Sequence, residues 1–157
     1  MTKPTKPITI LMADDDPDDR HLTQEAFAES RLANDLRFVE DGEELMDYLM
    51  RRGKYADPAS SPRPAILLLD LNMPKKDGRE AASEIKSDPA LRHIPIVVLT
   101  TSTSEEDVME TYGAGVNSFV SKPATFDGML ALARELSNFW IETIDLPPAP
   151  PDEEEAY

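Results

Sequence analysis

The chain has 157 residues, the size of one ordinary domain, with 31 acidic side chains against 16 basic ones and a formal net charge of −15. That charge argues against nucleic acid, whose binders present a basic patch, and against docking on anionic lipid. The absence of cysteine excludes disulfides and thiolate chemistry. No apolar run approaches the roughly 18 residues of a membrane span, and the first one stops at a block of aspartates, unlike a signal peptide. The expectation is a soluble, cytoplasmic, one-domain protein.

Met1 to Pro7 reads as a flexible leader. Ile8 to Ala13 is a short apolar run, a first strand, and Asp14, Asp15 and Asp16 follow it. Asp18 to Arg31 carries Leu22, Ala26 and Phe27 at helical spacing, with Asp16 or Asp18 suited to cap it. Leu36 to Val39 is β-like, and Glu43 to Arg52 is helical through Leu45, Tyr48 and Leu49. Gly53 to Pro64 is long for a helix-to-strand connection and reads as a tolerated insertion, with a partner contact as the alternative.

Ala65 to Leu69 is an apolar run suited to burial on both faces, and Asp70 follows it. Arg79 to Ser87 is a short helix. Ile94 to Leu99 is a fourth strand with Pro95 at its start, followed by Thr100 and Thr101. Ser104 opens a helix to Tyr112, with Asp107 three residues on. Ser118 to Val120 is a fifth strand, ending at Ser121, Lys122 and Pro123. A last helix is expected from about Thr125 to Ile144, and a proline-rich acidic tail covers 147–157.

Alternating strands and helices give an α/β fold, a doubly wound parallel sheet covered on both faces. For five strands the expected order is 2-1-3-4-5, with the chain reversal between strands 1 and 3. Ligands in such sheets sit at the carboxyl ends of the strands. That edge is where Asp14, Asp15, Asp70, Thr100 and Lys122 fall. Converging carboxylates repel, and a bound cation relieves them. With oxygens as the available ligands, that cation is Mg²⁺, or Mn²⁺. An aspartate beside a divalent cation, a lysine and a hydroxyl can attack a phosphoryl group and form an aspartyl phosphate. Each feature alone has a plainer reading, since an Asp-rich turn caps a helix and Ser-Lys-Pro ends a strand. The joint placement carries the chemistry.

The runs LMADDDP, LLLDLNMPKKDG, IVVLTTS and FVSKP, in that order, resemble the receiver domain of two-component response regulators, a flavodoxin-like fold. The resemblance covers about Ile8 to Ile144, so the receiver domain is set at 8–146. It implies that Asp70 accepts the phosphoryl group and that Asp15 ligates Mg²⁺ directly. It gives Asp14 a metal contact through water and makes the backbone carbonyl of Asn72 a further ligand. Lys122 would pair with the phosphoryl group, and its bond to Pro123 is a candidate cis peptide. Thr100 would move to hydrogen-bond the phosphoryl oxygens while Phe119 swings inward. Phenylalanine has no hydroxyl, so that switch would be read by packing alone. Gly78 would free the backbone at the start of the third helix, and Met73 and Pro74 would shape the loop over the site. His21 and His93 read as surface residues.

The last helix shows two apolar stripes: Phe126, Met129, Leu130, Ala133 and Trp140, then Leu132, Leu136, Phe139 and Thr143. One core face does not need both, so self-association through this helix is expected. The run Asn138 to Pro147, with ADDDPDDR and the extended loop, is similar to stand-alone regulators paired with bacterial phytochrome histidine kinases. That subgroup forms dimers through the last helix. A sensor histidine kinase, of bacteriophytochrome type, is the implied partner. The implied output is a change in protein contacts, with no enzymatic reaction beyond self-phosphorylation and self-dephosphorylation. Three alternatives stand beside this reading. A Mg²⁺-dependent phosphohydrolase would need an acid where Asn72 stands. A pseudo-receiver would lack an acid or the lysine. A phosphorelay intermediate is not separable by sequence.

Overall fold

A computed structural model of the chain describes residues 8–30, 34–100, 116 and 118–137. Five strands, β1 (Ile8–Ala13), β2 (Asn34–Val39), β3 (Ile66–Leu69), β4 (Ile96–Thr100) and β5 (Ser118–Ser121), form one parallel sheet in the order β2-β1-β3-β4-β5. The helices are α1 (Pro17–Glu29), α2 (Gly42–Met50), α3 (Gly78–Ser87) and α4 (Phe126–Ser137). The helix expected over Ser104 to Tyr112 lies outside the described residues, as do the leader, the tail, and Phe139, Trp140 and Thr143 of the last helix.

The period-two alternation of a strand sends neighbouring side chains to opposite faces. Leu11, Leu67, Leu69 and Val98 join Leu45, Leu49, Ala81 and Ile85 on the face of α2 and α3. Ile10, Met12, Leu68 and Val97 join Phe27, Met129 and Ala133 on the face of α1 and α4. Burial on both faces is why these strands read as continuous apolar runs.

The starts of the helices are set by aspartates. Asp16, Asp41 and Asp77 are N-caps whose carboxylates accept from the N–H groups of Asp18, Glu44 and Glu80. Asp16, not Asp18, caps α1, with Pro17 in its first position.

Two expectations change. Leu132 and Leu136, set aside as spare apolar surface, are buried against α1 and the sheet. Helix α4 packs with α1 on the sheet, with Met129, Leu132, Ala133 and Leu136 buried and Phe126 and Leu130 half-buried. Gly78 does not serve by a left-handed backbone. A Cβ there would overlap the Asp70 carbonyl and lie 2.7 Å from Leu71 Cα, so close approach is what requires glycine. Gly42 is held the same way, against the Lys76 carbonyl.

The segment 53–64 is more than a slack insertion. It forms two short 3₁₀ turns, Gly53–Tyr55 and Pro58–Ser60. Tyr48 Oη donates to the Pro62 carbonyl at 2.6 Å, and Tyr55 Oη donates to Glu44 Oε2 at 2.7 Å. The two tyrosine rings pack with centroids 5.1 Å apart. These contacts fold the segment back along α2 to the edge where the strands end.

Candidate functional site

Backbone hydrogen bonds past the strand ends fix where the first carboxylates stand. Asp14 N–H donates to the Val39 carbonyl and Asp70 N–H to the Ala13 carbonyl, each at 3.0 Å. The ladder thus runs one residue beyond β1 and β3 and sets the two aspartates side by side. Both are buried, whereas Asp15 is exposed. Carboxylate oxygens of Asp14, Asp15 and Asp70 lie within 4.8 Å of one another.

Lys122 follows β5 and reaches across to this group. Its Nζ lies 2.8 Å from each of Asp14 Oδ2, Asp19 Oδ2 and Asp70 Oδ2. Burial alone would lower the pKa of this ammonium, but the hydrogen bonds to Asp14, Asp19 and Asp70 outweigh it and hold the pKa well above the ordinary lysine range. Asp14 moves the other way to most paired aspartates. Burial pushes its carboxyl up, and hydrogen bonds from Lys122 and the Asp16 N–H only partly oppose that. Three carboxylates around one ammonium, with Asp15 beside them, leave an excess of negative charge at the site.

The second oxygens are held as well. Asp70 Oδ1 accepts the Asn72 N–H at 3.0 Å, and Asp14 Oδ1 accepts the Asp16 N–H at 2.9 Å. Arg20 braces the loop by donating from Nη1 to the Asp14 carbonyl at 2.8 Å while Nη2 meets Glu40 at 3.2 Å. Asp14 Oδ2 meets the Lys122 ammonium at 2.8 Å and has no other hydrogen-bond partner. A buried oxygen left so, in an all-oxygen donor set carrying excess negative charge, fits a hard divalent cation such as Mg²⁺ or Mn²⁺.

The structure brings together Asp14, Asp15, Asp70 and Lys122, as the strand ends predict. Thr100 closes β4 at the same edge, paired in register with Ser121, and its side chain lies outside the described residues. Phe119 sits half-buried on β5 against the α2–α3 core. Asn72 is exposed beside Asp70. Met73 is buried and Pro74 exposed in the loop that follows. The Lys122–Pro123 peptide, a candidate cis bond, is trans, the form that an X–Pro bond favours by about 0.5–1 kcal/mol unless packing reverses it. His21 pairs with Glu25 on the surface of α1. Sequence reasoning missed Asp19 and Arg20. The available signal was their place in the first turn of a helix that starts at the site.

Comparison with known proteins agrees with this geometry. The family model for the response regulator receiver domain matches residues 10–134. Response regulator Rcp1 of Synechocystis is 41% identical over 143 residues, spanning 91% of this chain and 95% of Rcp1. The crystal structure of the phosphorylated cyanobacterial phytochrome response regulator RcpA superposes with a TM-score of 0.83 at 41% identity, covering 91% of this chain and 100% of that one. The Mn²⁺-bound form of Rcp1 superposes with a TM-score of 0.80 at 41% identity, covering 90% and 100%. Among the described residues, no helix is long and apolar enough to cross a membrane.

Proposed function

The chain belongs to the response regulator receiver domain family, a family of phosphoacceptor signalling proteins, and from that premise we propose that Asp70 is its acceptor. One observation carries this reading: Asp70 stands within 4.8 Å of Asp14 and Asp15 on one side and 2.8 Å from Lys122 on the other. An oxygen of Asp70 attacks the phosphorus of a phosphohistidine. The O–P bond forms, the P–N bond breaks, and the electron pair leaves on the imidazole nitrogen. Lys122 faces the charge on the equatorial oxygens. The Asn72 N–H orients the carboxylate through Oδ1. Asp15 and Asp70 would hold the divalent cation directly, Asp14 would hold it through water, and the Asn72 carbonyl would be a further ligand. When bound, the cation neutralises charge on the phosphoryl oxygens.

Thr100 and Phe119 carry the change outward, the first by its hydroxyl and the second by packing. Phosphorylation then biases two states of the surface by its differential interaction with them. The likeness to Rcp1 and RcpA supports a bacteriophytochrome-type histidine kinase as donor, and with it a cytoplasmic location. The working part is the receiver, 8–146, with 1–7 as leader and 147–157 as tail. Self-association through the last helix is part of this reading; Phe139, Trp140 and Thr143 of its expected stripes lie outside the described residues.

The test is intact mass after incubation with acetyl phosphate and Mg²⁺, beside Asp70→Asn. One added phosphoryl group, lost without Mg²⁺ and lost in the variant, is the expected result. A wild-type chain that takes up neither the phosphoryl group nor beryllium fluoride overturns the reading.

A further inference from the structure

We propose that Asp19 is a positioning residue, the carboxylate that keeps the Lys122 ammonium aimed at the acceptor while Asp14 and Asp70 are engaged by cation and phosphoryl group. The inference rests on the receiver reading and adds to it a residue to which the sequence reading assigns no role.

Three carboxylates share Lys122, and they are not equivalent. Asp14 and Asp70 belong to the group whose oxygens converge within 4.8 Å, together with Asp15; Asp19 does not. Oxygens in that group are the ones drawn towards a cation, and Asp70 changes its own chemistry when it is phosphorylated. Asp19 Oδ2, 2.8 Å from Nζ, is the partner that remains. A lysine needs such a partner. Its ammonium is a point charge on a four-carbon stem with rotatable bonds, and it holds no fixed geometry by itself.

Asp19 is free for this task because of a local substitution of roles. With Asp16 as N-cap and Pro17 first in the helix, Asp19 stands at the third helical position. An acidic or amide side chain there ordinarily reaches back to the N–H of the cap residue. In this chain that N–H is already taken by Asp14 Oδ1, at 2.9 Å. Asp19 therefore turns across the loop, to a residue 103 positions away in the sequence. Its own backbone is tied down by Thr23, whose buried hydroxyl donates to the Asp19 carbonyl at 2.8 Å.

The plainer role for an acid in a first turn is to complement the helix dipole. The two roles separate by experiment. Initial rates of phosphoryl uptake from acetyl phosphate are measured by intact mass across a Mg²⁺ series for wild type, Asp19→Ala, Asp19→Asn and Asp19→Glu. Asp19→Asn keeps the volume and is the variant to rely on if Asp19→Ala fails to fold. The expected result is a loss of about tenfold for alanine and asparagine, within the range of a reacting group misplaced by an ångström. Glutamate, which keeps the charge, restores most of it. The Mg²⁺ concentration giving half the maximal rate stays unchanged, since Asp19 is not a ligand. An Asp19→Asn rate equal to wild type, or a shift of the Mg²⁺ midpoint that accounts for the loss, overturns the inference and leaves the receiver reading intact. A wild-type chain that takes up neither the phosphoryl group nor beryllium fluoride overturns both.

Discussion

Replacing Lys122 by methionine removes a charge and little volume, so it isolates the electrostatics of the site. The lysine side chain is 8% exposed, Asp14 0% and Asp70 7%, so solvent screens these pairs weakly. Asp19, at 26%, adds less. Removing one partner of a buried ion pair leaves an uncompensated charge and costs about 3–5 kcal/mol. For a chain of this size each kcal/mol shifts the melting temperature by roughly 2–4 °C, so Lys122→Met should melt about 6–20 °C lower in EDTA. Circular dichroism melts of wild type, Lys122→Met and Lys122→Met with Asp14→Asn measure this. The second substitution removes the most buried of the stranded charges and should recover at least half of the loss. Added Mg²⁺ should narrow the gap between variant and wild type, because a ligand that binds only the folded chain stabilises it by mass action. A single variant that melts within about 2 °C of wild type in EDTA would refute the account, since the three carboxylates would then not depend on the lysine.

Gly78→Ala should destabilise by about 1–3 kcal/mol in urea unfolding and slow phosphoryl uptake, because the new methyl overlaps the Asp70 carbonyl and must displace the loop that carries Asp70. Leu132→Ala or Leu136→Ala should cost about 2–5 kcal/mol in the same assay without altering the oligomeric state, since both side chains are buried within one chain. Burial raises the phenols of Tyr48 and Tyr55 to about 12 each, with the Glu44 carboxylate adding to the shift at Tyr55. A folded pKa above the unfolded value of 10 means that their contribution is complete below pH 10 and is lost as pH rises through about 12. Tyrosinate absorbance followed against pH should show both late ionisations, and Tyr55→Phe should remove one.

What was legible in the sequence follows from local physics. Strands buried on both faces announce themselves as continuous apolar runs, and Ile8 to Ala13 and Ala65 to Leu69 read as such. A parallel sheet delivers every strand's carboxyl end to one edge, so Asp14, Asp15, Asp70 and Lys122 could be gathered before any coordinates. What was not legible depends on distant parts of the chain. The partner of Asp19 is 103 residues away. Leu132 and Leu136 looked superfluous because the periodicity of one helix does not reveal that α1 and the sheet flank it on two sides. Gly78 was assigned to backbone freedom, the local reason for a glycine, when the reason is the Asp70 carbonyl beside it. The insertion before β3 appeared slack because its anchors, Tyr48 and Glu44, lie in another element.

The capping chemistry and the site chemistry are one arrangement here. Asp14 is held on β1 by the ladder, and one of its oxygens takes the N–H of the α1 cap residue. The same carboxylate thus starts the helix and sits beside Asp70. Arg20, one turn further, ties the Asp14 carbonyl to Glu40 at the start of the β2–α2 loop. Asp19, released from its usual duty, takes hold of Lys122, which follows the edge strand β5. Loops after four strands, β1, β2, β3 and β5, are therefore joined through charged groups that a cation or a phosphoryl group would pull upon. A change at Asp70 must be felt at Lys122, and through Lys122 at the start of α1. The edge built to bind charge is in this way also the place from which a change of charge can spread.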